Sequence, residues 1–246
     1  MTYLPRTSHA DPPRPTVAML ISDGITLLDV IGPHTALIGH ADVHLVAATL
    51  NPIVSDTGLV IHPTATFEEM TSTIDVLFVP GGPATIHMMA DERVLSFLRD
   101  RAPEARYVTA VCTGTLVLGA AGLIRGRRAT AHWAVRDLLP VFGARPVQDR
   151  VVLDGKLITG GGVTAGIDFG LTLLAELVNT QAAEFAQLAM EYDPRPPFNS
   201  GSPLTAEPSL VAAATSFTAP LIDAIKTGRV AIALREDGEQ DSPTGP

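Results

Sequence analysis

Short runs that are apolar at nearly every position, each closed by a Gly or Pro break and followed by a helical pattern, leave this chain few folds to adopt. They occupy residues 16–22 (Thr-Val-Ala-Met-Leu-Ile-Ser), 43–48, 74–79 and 107–111. A strand that is apolar on both faces must be covered on both, and intervening helices supply that cover, so the pattern predicts an α/β fold with a parallel sheet. Two hairpins are expected beside it, one turning at Asp56-Thr57-Gly58 and one over 151–159 turning at Asp154-Gly155. Helices are predicted around 91–101, from Thr113 onward, and over 133–142, 164–177, 182–190 and 210–225. In the helix over 164–177, Ile167, Leu171, Leu174 and Leu177 form the buried stripe. Pro33 is expected to open a further helix, because proline is well tolerated at a first helical position.

The segment Asp-Pro-Arg-Pro-Pro-Phe-Asn-Ser-Gly-Ser-Pro after Tyr192 cannot be helix or central strand, since proline fixes φ and removes donors. The expected organisation is therefore a tail over 1–14, one α/β domain over 15–192, an arm with a helix over 193–235, and a disordered acidic tail over 236–246. A formal net charge of −9 excludes general nucleic-acid affinity, which needs a basic face. The single cysteine excludes an internal disulfide framework and a cysteine-based zinc site, and the seven histidines show no ligand spacing. The N-terminus lacks the hydrophobic middle of a signal peptide, and no apolar stretch approaches the ~18 residues of a membrane span. A cytoplasmic protein with no membrane partner is expected.

Four segments fall where strands of such a sheet end, the place where ligands bind in open α/β folds. The most informative holds the lone thiol: Val108, Ala110 and Val111 close a strand, and Leu116, Val117 and Ala120 fall at helical spacing. Cys112 then sits at a strand-to-helix turn, where free N–H groups and the helix dipole favour a thiolate near neutral pH. The competing reading is an inert buried thiol, since free cysteine is among the most buried residue types. Asp29, a carboxylate inside the apolar run Leu27–Ile31, should have a raised pKa suited to proton donation, or else cap a helix. In Pro80-Gly81-Gly82-Pro83, Gly81 and Gly82 let the backbone approach a bound group and offer N–H donors, although any tight turn can use such a pair. The fourth segment, Gly160 to Gly166, is a glycine-rich helix entry; it is no dinucleotide fingerprint, and no Walker A pattern exists. His132 is the histidine expected nearest the thiol, with a hydrogen-bonded histidine at a helix start as the alternative.

Cys112-Thr113-Gly114, Gly119-Ala120-Ala121-Gly122-Leu123, Gly126-Arg127-Arg128-Ala129-Thr130 and His132-Trp133 together resemble the ThiJ/PfpI superfamily. Leu28-Asp29-Val30-Ile31-Gly32-Pro33, the run from Gly160 to Phe169 and that from Pro196 to Pro203 resemble its isocyanide hydratase branch. The resemblance runs from about residue 16 to 205. It implies a flavodoxin-like three-layer α/β/α sandwich, a homodimer, and no metal or organic cofactor. It also implies hydration of an isocyanide, with Cys112 as nucleophile, Asp29 as general acid/base and Thr113 supporting the thiolate. Gly81, Gly82, Ile31, Gly161 and Val163 are the expected substrate- or oxyanion-binding positions, with Phe198 a further wall residue. Superfamily peptidases place a histidine after the nucleophile, and here Thr113 occupies that slot. Many relatives use Glu where this chain has Asp29. Regulators with a similar core carry a helix-turn-helix region afterwards, and the proline-broken segment after Tyr192 does not suit one. Glyoxalase III or deglycase chemistry on 2-oxoaldehydes, a redox sensor and a ligand-binding module are the alternatives.

Overall fold

The computed structural model describes residues 14–227. The tails expected over 1–14 and 236–246 therefore lie, Arg14 apart, outside the described residues. The chain begins β1 (Thr16–Leu20), α1 (Leu27–Leu37), β2 (Asp42–Ala47), the hairpin β3 (Ile53–Val54) and β4 (Val60–Ile61), and β5 (Ala65–Thr66). It continues β6 (Val76–Val79), α2 (Thr85–Ala90), α3 (Glu92–Arg101), β7 (Tyr107–Val111) and α4 (Gly114–Ala120). Next come β8 (Arg128–Ala129), a 3-10 helix at Arg136–Phe142, β9 (Arg145–Pro146), β10 (Val151–Asp154) and β11 (Leu157–Gly160). Four helices complete it: α5 (Ala165–Leu177), α6 (Thr180–Ala189), α7 (Pro208–Ser216) and α8 (Ala219–Lys226).

Seven strands form the central sheet in the order β10-β11-β7-β6-β1-β2-β5. All neighbours run parallel except β10, which returns antiparallel to β11 through the Asp154-Gly155 turn. Every residue of β6 is buried, as a strand covered on both faces requires. Helices α1, α5 and α6 pack together, and α2, α3, α4 and α8 form a second group, giving the three expected layers. In the core, the Phe78 ring on β6 meets Phe169 on α5, with centroids 5.5 Å apart. The sheet order reverses at β1, which pairs with β2 on one side and β6 on the other. The crevice beyond the carboxyl ends of β1 and β6 is thus the switch point at which this architecture binds ligands.

Several helices differ from their sequence expectation. Pro33 does not open α1: the helix starts six residues earlier at Leu27 and contains the proline. Pro33 lies against α5 at a close crossing, where a Cβ built on Gly170 would lie 2.8 Å from Pro33 Cα. Of the segment 133–142, Arg136–Phe142 forms a 3-10 helix, with Pro140 inside it. The helix expected over 210–225 is two, bent by 63°, with Pro220 in the first turn of α8. No single helix among the described residues is long and apolar enough to cross a membrane.

Candidate active site

Three strand ends deliver the chemistry. Asp29 lies in the first turn of α1, after β1; Gly81 and Gly82 follow β6; Cys112 follows β7. The Asp29 side chain is wholly buried, and its Oδ2 accepts a 2.8 Å hydrogen bond from the Gly81 N–H across 52 residues of sequence. The carboxylate therefore does not cap its own helix. Its Oδ1 has no hydrogen-bond partner among the described residues, and the Cys112 side chain lies beside this carboxyl. Burial pushes the Asp29 carboxyl up from 3.8 to about 7, against the Gly81 and Cys112 hydrogen bonds that pull it down; the Asp56 charge adds a smaller upward push.

Cys112 is 4% exposed and adopts φ 59°, a left-handed conformation rare for residues with a Cβ. The turn is held on all sides: its N–H is shared between the carbonyls of Gly160 (3.1 Å) and Gly161 (2.9 Å), and its carbonyl accepts from the His132 N–H (3.1 Å). The thiolate expected from the helix start is not the resting form. Burial, and then the negative charge of Asp29, push the thiol above its ordinary value, while the N–H groups of Val163 and Thr113 pull it down. Desolvation outweighs two amide donors, so the proton rests on sulfur, beside the Asp29 carboxyl.

Gly81 must be glycine here: a Cβ would lie 2.5 Å from the Thr113 nitrogen and 2.8 Å from the Cys112 Cβ. In the resting site the Gly81 N–H holds Asp29, and the Gly82 N–H donates to Thr113 Oγ1 at 2.9 Å. The Gly161 N–H donates to the Arg150 carbonyl at 2.9 Å, so Gly161 meets Cys112 as an acceptor and not as an oxyanion donor. Val163, at φ 37°, turns its N–H onto the Cys112 sulfur. Thr113 Oγ1 also pairs with buried Thr85 Oγ1 at 2.7 Å. The His132 imidazole packs against Gly162 and its Nδ1 accepts from the Ala134 N–H at 3.3 Å, so its link to Cys112 runs through backbone. Ile31 is 40% exposed on α1, and Phe198 is 79% exposed on the arm, where it walls no site within one chain. Thr85, and the Thr26–Asp56 hydrogen bond of 2.8 Å beside Asp29, carry no sequence signal that marks them as site groups.

A sheet-end elbow that holds a strained cysteine beside a buried acid can supply an α/β enzyme with a nucleophile and a proton acceptor. The DJ-1/PfpI family profile matches residues 15–176, and the chain belongs to that family. The isonitrile hydratase of Pseudomonas putida is 53% identical over 206 residues, covering 83% of this chain and 90% of that one. A crystal structure of a ThiJ/PfpI family protein from Pseudomonas syringae superposes with a TM-score of 0.85 at 43% identity, covering 90% of this chain and 98% of the other. A deglycase of Pyrococcus abyssi is more distant, 27% identical over 145 residues, covering 58% of this chain and 87% of that one.

Proposed function

We propose that this protein is a lyase that hydrates an isocyanide, R–N≡C, to the N-substituted formamide, with Cys112 as nucleophile and Asp29 as general acid and base. The supporting observation is the buried contact of one thiol with one carboxyl of pKa about 7, in a chain 53% identical to an isonitrile hydratase. A carboxyl with that pKa is populated in both protonation states near neutrality, as a group that both takes and gives a proton requires.

The ionised Asp29 accepts the thiol proton as sulfur attacks the terminal isocyanide carbon. The new C–S bond forms, one N≡C π bond is lost, and Asp29 delivers the proton to the same carbon, leaving a thioimidate, R–N=CH–S–Cys112. Water then adds to that carbon, Asp29 taking its proton and passing it to the nitrogen, to give R–NH–CH(OH)–S–Cys112. Cleavage of the C–S bond releases R–NH–CHO, and sulfur recovers its proton. The N–H groups of Val163 and Thr113 stabilise sulfur whenever it carries negative charge. The sum is one isocyanide and one water to one formamide.

Purified protein incubated with a small alkyl isocyanide should lose the isocyanide infrared stretch and gain a formyl proton resonance. Cys112→Ala should abolish turnover, and Asp29→Asn should lower it by at least 100-fold, the usual scale of acid–base catalysis. Turnover of methylglyoxal with none of any alkyl or aryl isocyanide would reject this reading in favour of glyoxalase or deglycase chemistry.

A further inference from the structure

Among the described residues only three non-glycine residues hold a positive φ: Cys112 at 59°, Val163 at 37° and Glu191 at 51°. Such conformations cost free energy and persist where surrounding contacts fix them. Two belong to the site. Glu191 does not; it ends α6 in the left-handed position that glycine usually fills at a helix C-terminus. Its consequence is the placement of Tyr192. The Tyr192 N–H donates to the Gln187 carbonyl (3.1 Å), its carbonyl accepts from Gln187 Nε2 (3.2 Å), and its hydroxyl donates to Asp168 Oδ2 at 3.0 Å.

Asp168 Oδ2 also accepts from Arg150 Nε at 2.5 Å. Arg150 grips both ends of the segment that carries Val163: its carbonyl takes the Gly161 N–H at 2.9 Å, and its guanidinium donates to Thr164 Oγ1 at 3.3 Å. A continuous chain of hydrogen bonds thus connects Tyr192, next to the third strained residue, to the 161–164 segment, whose Gly161 carbonyl accepts the Cys112 N–H at 2.9 Å and whose Val163 N–H acts on the Cys112 sulfur. We propose that Tyr192 is a positioning residue for the nucleophile, holding the 161–164 segment through Asp168 and Arg150 so that the Val163 N–H stays on the sulfur. Burial and the Asp168 carboxylate push the Tyr192 phenol above its ordinary value, so the hydroxyl remains a donor across the working range.

The proposal rests on Cys112 being the nucleophile but needs no isocyanide for its test. Full-length Tyr192→Phe and Arg150→Ala are compared with the parent for the rate of Cys112 alkylation by iodoacetamide across pH, with Cys112→Ala as the blank. Asp29, the titratable group that faces the sulfur, is unchanged in both variants. Weakening an amide donor to a thiolate should move the alkylation midpoint to higher pH and slow alkylation at pH 8 by about three- to tenfold, one pKa unit being tenfold. Asp168→Asn, which keeps an acceptor for the phenol, should fall between Tyr192→Phe and the parent. Unshifted pH profiles in both Tyr192→Phe and Arg150→Ala would overturn the proposal, and so would a lower melting temperature with an unshifted profile, the mark of a merely structural role. A parental thiol inert at every pH would reject the nucleophile reading itself, which separates the two failures.

Discussion

Asp29 is held against its own solvation, and that has a measurable sign. Its carboxyl stands at about 7 in the fold and 3.8 when unperturbed, so the folded state prefers the neutral form. A raised carboxyl contributes stability that is fully present below the unfolded pKa and is lost as pH rises through the folded one. Between pH 4 and 8 the parent should therefore lose stability relative to Asp29→Asn, by up to about 4 kcal/mol from that shift. Urea unfolding of both proteins at a series of pH values checks this, and a difference that is flat with pH would contradict a carboxyl whose burial outweighs its hydrogen bonds. Catalysis should run the other way. In the proposed mechanism the ionised form accepts the thiol proton, so kcat/KM of the parent should rise with pH through about 7 with a slope of one proton. The same acid thus stabilises most where it works least.

At the scale of elements, the crossing of α1 and α5 fixes the distance between the acid and the loop that supports sulfur. Asp29 rides on α1, and the entry to α5 carries Val163. A Cβ on Gly170 would lie 2.8 Å from Pro33 Cα and 3.1 Å from Ala36 Cβ, both in the body of α1, so neither neighbour can swing aside. Gly170→Ala should destabilise the protein by about 1–3 kcal/mol, the cost of overpacking, and should lower activity by separating the two helices. Gly39→Ala is the control: a Cβ there meets nothing within 4 Å, so its effect should stay within ~0.5 kcal/mol. The crossing also explains what sequence could and could not convey. The strands were legible because β6 and β7 are apolar on both faces, a pattern that only a covered sheet uses. Pro33 misled because proline signals a helix start, whereas here it lies inside α1 at a crossing whose closeness depends on Gly170, 137 positions later. Cys112 was legible from its strand-to-helix turn. Its protonation was not, since burial and the facing Asp29 belong to tertiary structure. Six-residue α2 and the Thr85 hydroxyl against Thr113 left no periodicity to read.

For the whole molecule, the distribution of apolar side chains on the C-terminal half argues for a second copy of the chain, which the family resemblance also implies. Leu188 is 81% exposed on α6, Phe198 79% and Leu204 81% on the arm, and Phe217 86% between α7 and α8. No residue of α7 is fully buried against its own chain, although Leu210, Val211 and three consecutive alanines make it largely apolar. Single exposed apolar residues need no explanation, but a series of them along one arm and helix marks an interaction surface. A homodimer in which this arm and α7 lay against the partner would supply the missing cover, and a stable interface of that kind buries at least about 1,000 Å² in total. Light scattering after size exclusion should give twice the chain mass of 25.8 kDa. Leu210→Asp with Phe217→Asp places two charges on that surface and should shift the population toward monomer at micromolar concentration, because an unpaired charge cannot enter an apolar interface without a large desolvation cost. The catalytic prediction then divides. A site complete within one chain keeps its activity in the monomeric variant, as the Asp29, Cys112 and Val163 contacts, all made within one chain, lead us to expect. Dimers that persist in the doubly charged variant would place the interface on another face of the molecule.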